Sequence, residues 1–224
     1  MSSTLNRLLA TAGLALALLV VAGLAGCSST YYTAMEKIGF AKREILVDRV
    51  DKARTTQTEA KQQFVSALAH FLAVTKTEGG DLQKKYDDLN HELTRSETRA
   101  KEVRERISSV EDVAGALFTE WKDELAKYSN AALRADSERQ LEATRKRYDE
   151  MLKLMHRAAD RMEPVLGRFR DQVLYLKHNL NARALASLNS THLELEADIS
   201  SLIADMEASI RESETFVKGM KQKA

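Results

Sequence analysis

Chain breakers and cross-links are nearly missing from this sequence. Its 224 residues include one proline, nine glycines and one cysteine. Sheet proteins need turn residues at short intervals, so this scarcity excludes a turn-rich β architecture. A lone cysteine excludes an internal disulfide, and packing must hold the fold. Charge of one sign is also lacking: 34 basic side chains face 33 acidic ones, a net of +1 with histidine neutral. That balance excludes a general nucleic-acid binder or a polybasic membrane patch. No G-x-S-x-G, glycine-rich phosphate loop or paired-cysteine motif occurs. "HELTR" at 91–95 departs from HExxH, and His70, His91, His156, His178 and His192 share no ligand spacing. Hydrolase, nucleotide and metal chemistry therefore lack their usual anchors, and no catalytic residue, metal or cofactor is expected.

What is present begins at the N-terminus. Arg7 is the only charge before Glu36, and Leu8 to Gly26 is an uncharged run of mainly Leu, Ala, Val and Gly. A basic start, an apolar run and small residues before a break read as a secretory signal. Leu24-Ala25-Gly26-Cys27 ends it and resembles the bacterial lipobox. In that motif a peptidase cleaves before a cysteine that has received a diacylglyceryl group. The expectation is a signal peptide over 1–26, lipidation of Cys27, and a linker at 27–30; the alternatives are an uncleaved membrane anchor, since the run is also long enough for a marginal transmembrane helix, or a buried free thiol. Several acyl chains, each methylene contributing about 0.8 kcal/mol, hold such a protein to a membrane. Ser28, rather than Asp, follows the cysteine; by resemblance to Gram-negative sorting, that implies the periplasmic face of the outer membrane. Tyr31 and Tyr32 follow so closely that their rings fall near the headgroups, or else start the first helix.

Residues 31–224 read as one helical domain. Leu46, Val50, Ala53, Gln57, Ala60, Phe64, Ala67, Phe71 and Val74 advance by 4 and 3 without a fault. The same spacing runs from Leu82 through Leu93, Ser96, Ile107, Ala114, Trp121 and Glu124 to Tyr128, and again from Leu195 to Met220. A sustained seven-residue repeat keeps one stripe against a partner helix, as in a coiled coil. Gly79-Gly80-Asp81 reads as a helix stop and N-cap, and Ser137 with Gln140 as a capping box. A third helix runs through Leu141, Tyr148, Met151, Met155, Met162, Phe169 and Leu176 to Leu180, with Pro164 expected to kink it. Asn189-Ser190 reads as the last break. Helices are thus expected at about 31–78, 81–129, 137–188 and 190–222, roughly 70–78 Å long where complete. Their net charges alternate basic, acidic, basic, acidic, which favours packing each beside its sequence neighbour. The expected fold is all-α: an elongated, antiparallel, up-down-up-down four-helix coiled-coil bundle.

Two clusters stand out as candidate contacts. Arg157, Arg161 and Arg168 lie near Pro164, and guanidinium forks suit a phosphate or lipid headgroup. The competing reading has the third helix facing its acidic neighbours, with Glu142–Lys146 and Asp149–Lys153 as i, i+4 pairs. Phe40 and Val47 share a line about 110–130° from the core stripe of the first helix. They are candidate contacts for a second protein or a second copy; the alternative packs them on a neighbouring helix.

From Tyr31, "YYTAMEKIGFAKREILVDRVDKARTTQTEAKQQF" resembles the opening of a family of Gram-negative, lipoprotein-type, all-helical proteins that carry a domain-of-unknown-function label. The likeness extends over the mature chain and is most distinctive at 31–64. It implies a helical fold and an envelope location, and brings no catalytic residues. Members are sometimes called DNA-repair ATPases, but the Walker motif that such a name requires is missing here. The reading that results is a non-enzymatic scaffold or adaptor, held to a membrane by its lipid and to a protein partner or itself. The alternative is a module that takes a lipid or other amphiphile in a groove near Pro164. Native mass spectrometry separates the two, since a carried lipid adds a discrete mass.

Overall fold

The computed structural model describes residues 41–76, 81–179 and 182–222. The chain divides into two compact units, Met1–Ile45 and Leu46–Ala224. Of the first, only residues 41–45 are described, where a helix begins. Four helices follow one another: α1 Lys42–Lys76, α2 Leu82–Leu125, α3 Ala131–His178 and α4 Ala182–Lys221. No strand occurs among the described residues. With 35, 44, 48 and 40 residues, they are about 52, 66, 72 and 60 Å long.

Cross-helix pairs establish the topology of the second unit. Glu97, Arg104 and Glu111 of α2 meet Arg170, Glu163 and His156 of α3. The partner moves down by seven for each seven up, so the two helices are antiparallel and in heptad register. On the next seam Arg168 and Arg161 of α3 meet Asp198 and Asp205 of α4, with the same step. Arg54 and Lys61 of α1 meet Glu214 and Glu207 of α4. Glu59 and Ser66 of α1 meet Arg99 and Glu92 of α2. Each helix therefore lies between two antiparallel neighbours, an all-α up-down-up-down bundle. Across the diagonal, the Phe71 and Phe169 rings stand edge to face, 6.0 Å apart at 89°.

The stripes sit inward. Every position read on α1, from Leu46 to Val74, is buried, as is every position from Leu195 to Met220 on α4. Met151, Met155 and Met162 are core filler at 0% exposure. The α2 stripe is buried from Leu89 to Leu117 and then fails. Trp121 is half-buried, Glu124 is exposed, and Tyr128 is 42% exposed. Phe118 and Leu125 are buried there instead.

Some expected boundaries lie outside the described residues, and others are corrected. The helix expected from residue 31 is described only from Lys42; residues 31–40 and Gly79-Gly80 lie outside the described residues. Asp81 does cap α2, accepting from the Lys84 N–H at 3.1 Å. Ser137 does not start α3. Asn130 does, its Oδ1 accepting from the Ala132 and Leu133 N–H groups at 2.9 and 3.1 Å. Ser137 lies one turn and more inside, where its hydroxyl accepts from Trp121 Nε1 at 2.9 Å. Gln140 donates to Asp136 rather than closing a box. The apolar pattern lapses at 130–136 because that stretch is solvent-exposed, not because the helix breaks. The last break falls after Asn179, the α3 C-cap, and α4 runs unbroken through Asn189-Ser190. Pro164 does not interrupt α3. It is exposed between buried Met162 and Val165, so the helix loses one donor but keeps its packed face.

Candidate functional site

The arginine cluster lies on α3, turned towards α4. Arg157 Nε is 3.0 Å from Asp205 Oδ1, and Arg161 Nε is 2.7 Å from Oδ2. The second pair is close but not aligned as a hydrogen bond. Arg168 pairs with Asp198. All three candidate anion contacts are therefore occupied by α4 carboxylates, as the competing reading of the sequence has it. The i, i+4 pairs expected with it do not form: neither Glu142–Lys146 nor Asp149–Lys153 is among the ion pairs of the described residues. An i, i+4 pair on a solvated face contributes only about 0.3–0.5 kcal/mol, too little to fix those side chains.

Asp205 is the pivot of this face, with a side chain only 12% exposed. Asp205→Asn is expected to lower stability by up to about 1 kcal/mol, with a deficit that shrinks in added salt as the lost pairs are screened. Denaturant midpoints of both chains at low and high salt check this; a salt-independent deficit would mean that the charges do not matter.

Two of the cluster's arginines, Arg157 and Arg161, line an open depression of about 810 Å³ together with Lys153, His156, Asp160, Pro164 and Asp198. Among its lining residues only Pro164 is apolar. A second hollow, of about 580 Å³, opens between α1 and α2 and is lined by Asp51, Lys52, Glu59, Arg99, Glu102 and Arg106 among others. Arg99 bonds Glu102 there, a contact that holds its pKa above the ordinary arginine value. The hollow between α1 and α2 is walled mainly by polar groups, whereas the aliphatic stems of the charged residues give the Pro164 depression part of its wall. The interior is filled: Phe118, Tyr148 and Phe216 stack edge to face at 5.3 and 6.2 Å. Burial pushes the Tyr148 hydroxyl far above the usual tyrosine range, with the charges of Glu111 and Asp149 adding to it. No group of His, Cys, Asp and Glu able to hold a metal occurs among the described residues.

Val47 is half-buried on α1, whereas Phe40, Leu24, Ala25, Gly26 and Cys27 lie outside the described residues. Sequence reading missed a different feature, a set of buried polar side chains around α1. Glu92 is 4% exposed; its Oε2 accepts from Gln63 Nε2 at 2.7 Å, and Arg95 and His70 lie 3.4 and 3.9 Å from Oε1. Ser96 lies 3.4 Å from the same Gln63 nitrogen. Gln57 is fully buried and accepts from Ser209 Oγ at 3.0 Å. Gln57, Ser96 and Ser209 stand on the 4-3 stripes; that was the available signal.

A family described as a protein of unknown function, DUF2959, matches residues 31–220. The chain belongs to it. No curated protein and no solved structure matches the chain. The DUF2959 match spans all four helices, so the bundle is the family's domain in this chain. Among the described residues, no helix is long and apolar enough to cross a membrane.

Proposed function

We propose that this DUF2959 chain is a non-enzymatic scaffold or adaptor of the Gram-negative cell envelope, lipid-anchored through Cys27 to the periplasmic face of the outer membrane. The observation that carries the reading is Leu24-Ala25-Gly26-Cys27 at the end of an apolar run, directly ahead of a helical bundle domain. Small residues at 25 and 26 suit a narrow peptidase site, and Cys27 supplies the thiol. The bundle itself supports a mechanical rather than a chemical role. Its cross-helix charges are spent on one another, and its interior is packed with Phe, Met and Leu. The amphiphile-binding alternative rests on the depression at Pro164, which is open to solvent and bordered by charged side chains whose aliphatic stems also line it.

Labelling with a fatty-acid analogue tests the anchor. The native chain should take up label and migrate as a shortened, membrane-bound species. Cys27→Ser should stay at precursor length without label. Normal labelling and cleavage of Cys27→Ser would overturn the proposal.

A further inference from the structure

The pairing of cross-helix charges stops at one place on the α2–α3 seam. Glu97–Arg170, Arg104–Glu163 and Glu111–His156 step along that seam by seven on each helix. In the same register the next rung is Phe118 opposite Asp149, and one turn further on it is Lys122 opposite Arg145. Two cations thus face each other where the earlier rungs set a base against an acid. Neither has a carboxylate partner among the described residues. Arg145 instead lies over the Phe118 ring, 5.9 Å from its centroid. Like charges across a seam repel, so this rung is unfavourable unless an anion comes between them.

A hollow of about 410 Å³ opens at this rung, lined by Gly115, Phe118, Lys122, Arg145, Tyr148 and Leu152 among others. Its floor is apolar: Phe118 and Tyr148 are buried with their rings edge to face, and Leu152 is half-buried. One wall is missing, since a Cβ placed on Gly115 would meet nothing within 4 Å. Glycine inside a helix costs roughly 0.5–1 kcal/mol relative to alanine, and no neighbour here requires it. Tyr148 is 7% exposed, yet its hydroxyl has no hydrogen-bond partner among the described residues. Buried tyrosine hydroxyls ordinarily find one. Burial keeps this hydroxyl protonated, so it has a proton to donate. We propose that the hollow binds a small organic anion with an apolar body, its charge held between Lys122 and Arg145, its body on Phe118 and Leu152 beside Gly115, and a polar atom accepting from the Tyr148 hydroxyl. The anion relieves the repulsion between the two cations, and the body covers apolar surface. A carboxylate, a sulfonate and a phosphate monoester all offer that chemistry. The site does not depend on the anchor at Cys27, and it asks no reaction of the bundle.

Equilibrium dialysis of naphthalene-2-sulfonate against the full-length chain in detergent, with empty micelles as the blank, tests the site. The sulfonate should bind saturably, one per chain. Inorganic phosphate lacks the body and 2-naphthol lacks the charge, so each should bind at least about tenfold more weakly. Gly115→Leu fills the hollow and should lower affinity by a similar factor, while better helix propensity raises the melting temperature. Lys122→Gln with Arg145→Gln should weaken binding as much and leave the fold intact. Tyr148→Phe keeps the ring and removes only the hydroxyl; affinity should fall roughly three- to tenfold without loss of melting temperature. The proposal fails if uptake does not exceed the micelle blank, or if phosphate binds as tightly as the sulfonate. It fails equally if any of these variants, folded by circular dichroism, binds like the native chain.

Discussion

Leu93→Asp should cost roughly 3–4 kcal/mol, a large part of the total stability of a domain this size. Leu93 is 6% exposed on the α2 stripe, and its chain neighbour Glu92 is already a buried carboxylate. The substitution removes an apolar contact and adds a charge that has neither water nor a donor. At about 2–4 °C per kcal/mol for a chain of 150–250 residues, the melting temperature should fall by roughly 6–16 °C. The loss has a pH signature. A carboxyl that is buried without a partner has a folded pKa above its unfolded value. The penalty is then full above the folded pKa and shrinks as pH falls through the carboxylate range. Ser96→Ala, three residues away, should stay within about 0.5 kcal/mol of the native chain, because the Ser96 hydroxyl bonds its own helix at Glu92 O. Thermal unfolding followed by circular dichroism distinguishes the two. Equal, small shifts would mean that the α2 stripe is not buried.

Phe71→Ala should be at least as damaging, at about 3–5 kcal/mol. Phe71 is 0% exposed, and its ring stands edge to face on Phe169 across the bundle. Both rings are buried in the core, so the cavity has little freedom to collapse. Phe169→Ala should cost a similar amount. The double variant should cost less than the two together by about 0.5–1.5 kcal/mol, the worth of an aromatic pair beyond its burial. Additive costs in denaturant unfolding would show that α1 and α3 do not meet on the diagonal.

The sequence showed the inward faces better than the ends. Leu46 to Val74 and Leu195 to Met220 were readable because a seven-residue repeat has one geometric meaning once breakers are scarce. The end of α2 was not. Beyond Leu117, Trp121, Glu124 and Tyr128 keep the spacing but lie half-buried or exposed, while Phe118 and Leu125 turn inward. Periodicity records which positions share a line, not whether a neighbour is there to cover it. Caps were harder still. Ser137 with Gln140 has the letters of a capping box, yet Asn130 takes the free amides and Ser137 answers Trp121. Short hydrogen-bonding side chains serve turns, caps and buried bonds alike, and local sequence does not choose among them. Of the candidate contacts, the alternation of basic and acidic helices foretold the fate of Arg157, Arg161 and Arg168. The Gln63–Glu92 bond depends on two residues from different helices and had no local signature.

The antiparallel order has a further electrical result. Each long helix carries the aligned dipoles of its peptides, equivalent to about half a positive charge at its start and half a negative charge at its end. Because every helix lies beside two neighbours of opposite sense, starts and ends alternate around the bundle and their fields cancel within a few ångströms. The aligned peptides therefore contribute almost nothing to any difference in charge between the two ends of the helix array, and the whole chain carries a net charge of only +1. A charged surface would exert almost no torque through those dipoles. Any preferred orientation beside such a surface must then come from how the charged side chains are distributed, not from the helices' own polarity.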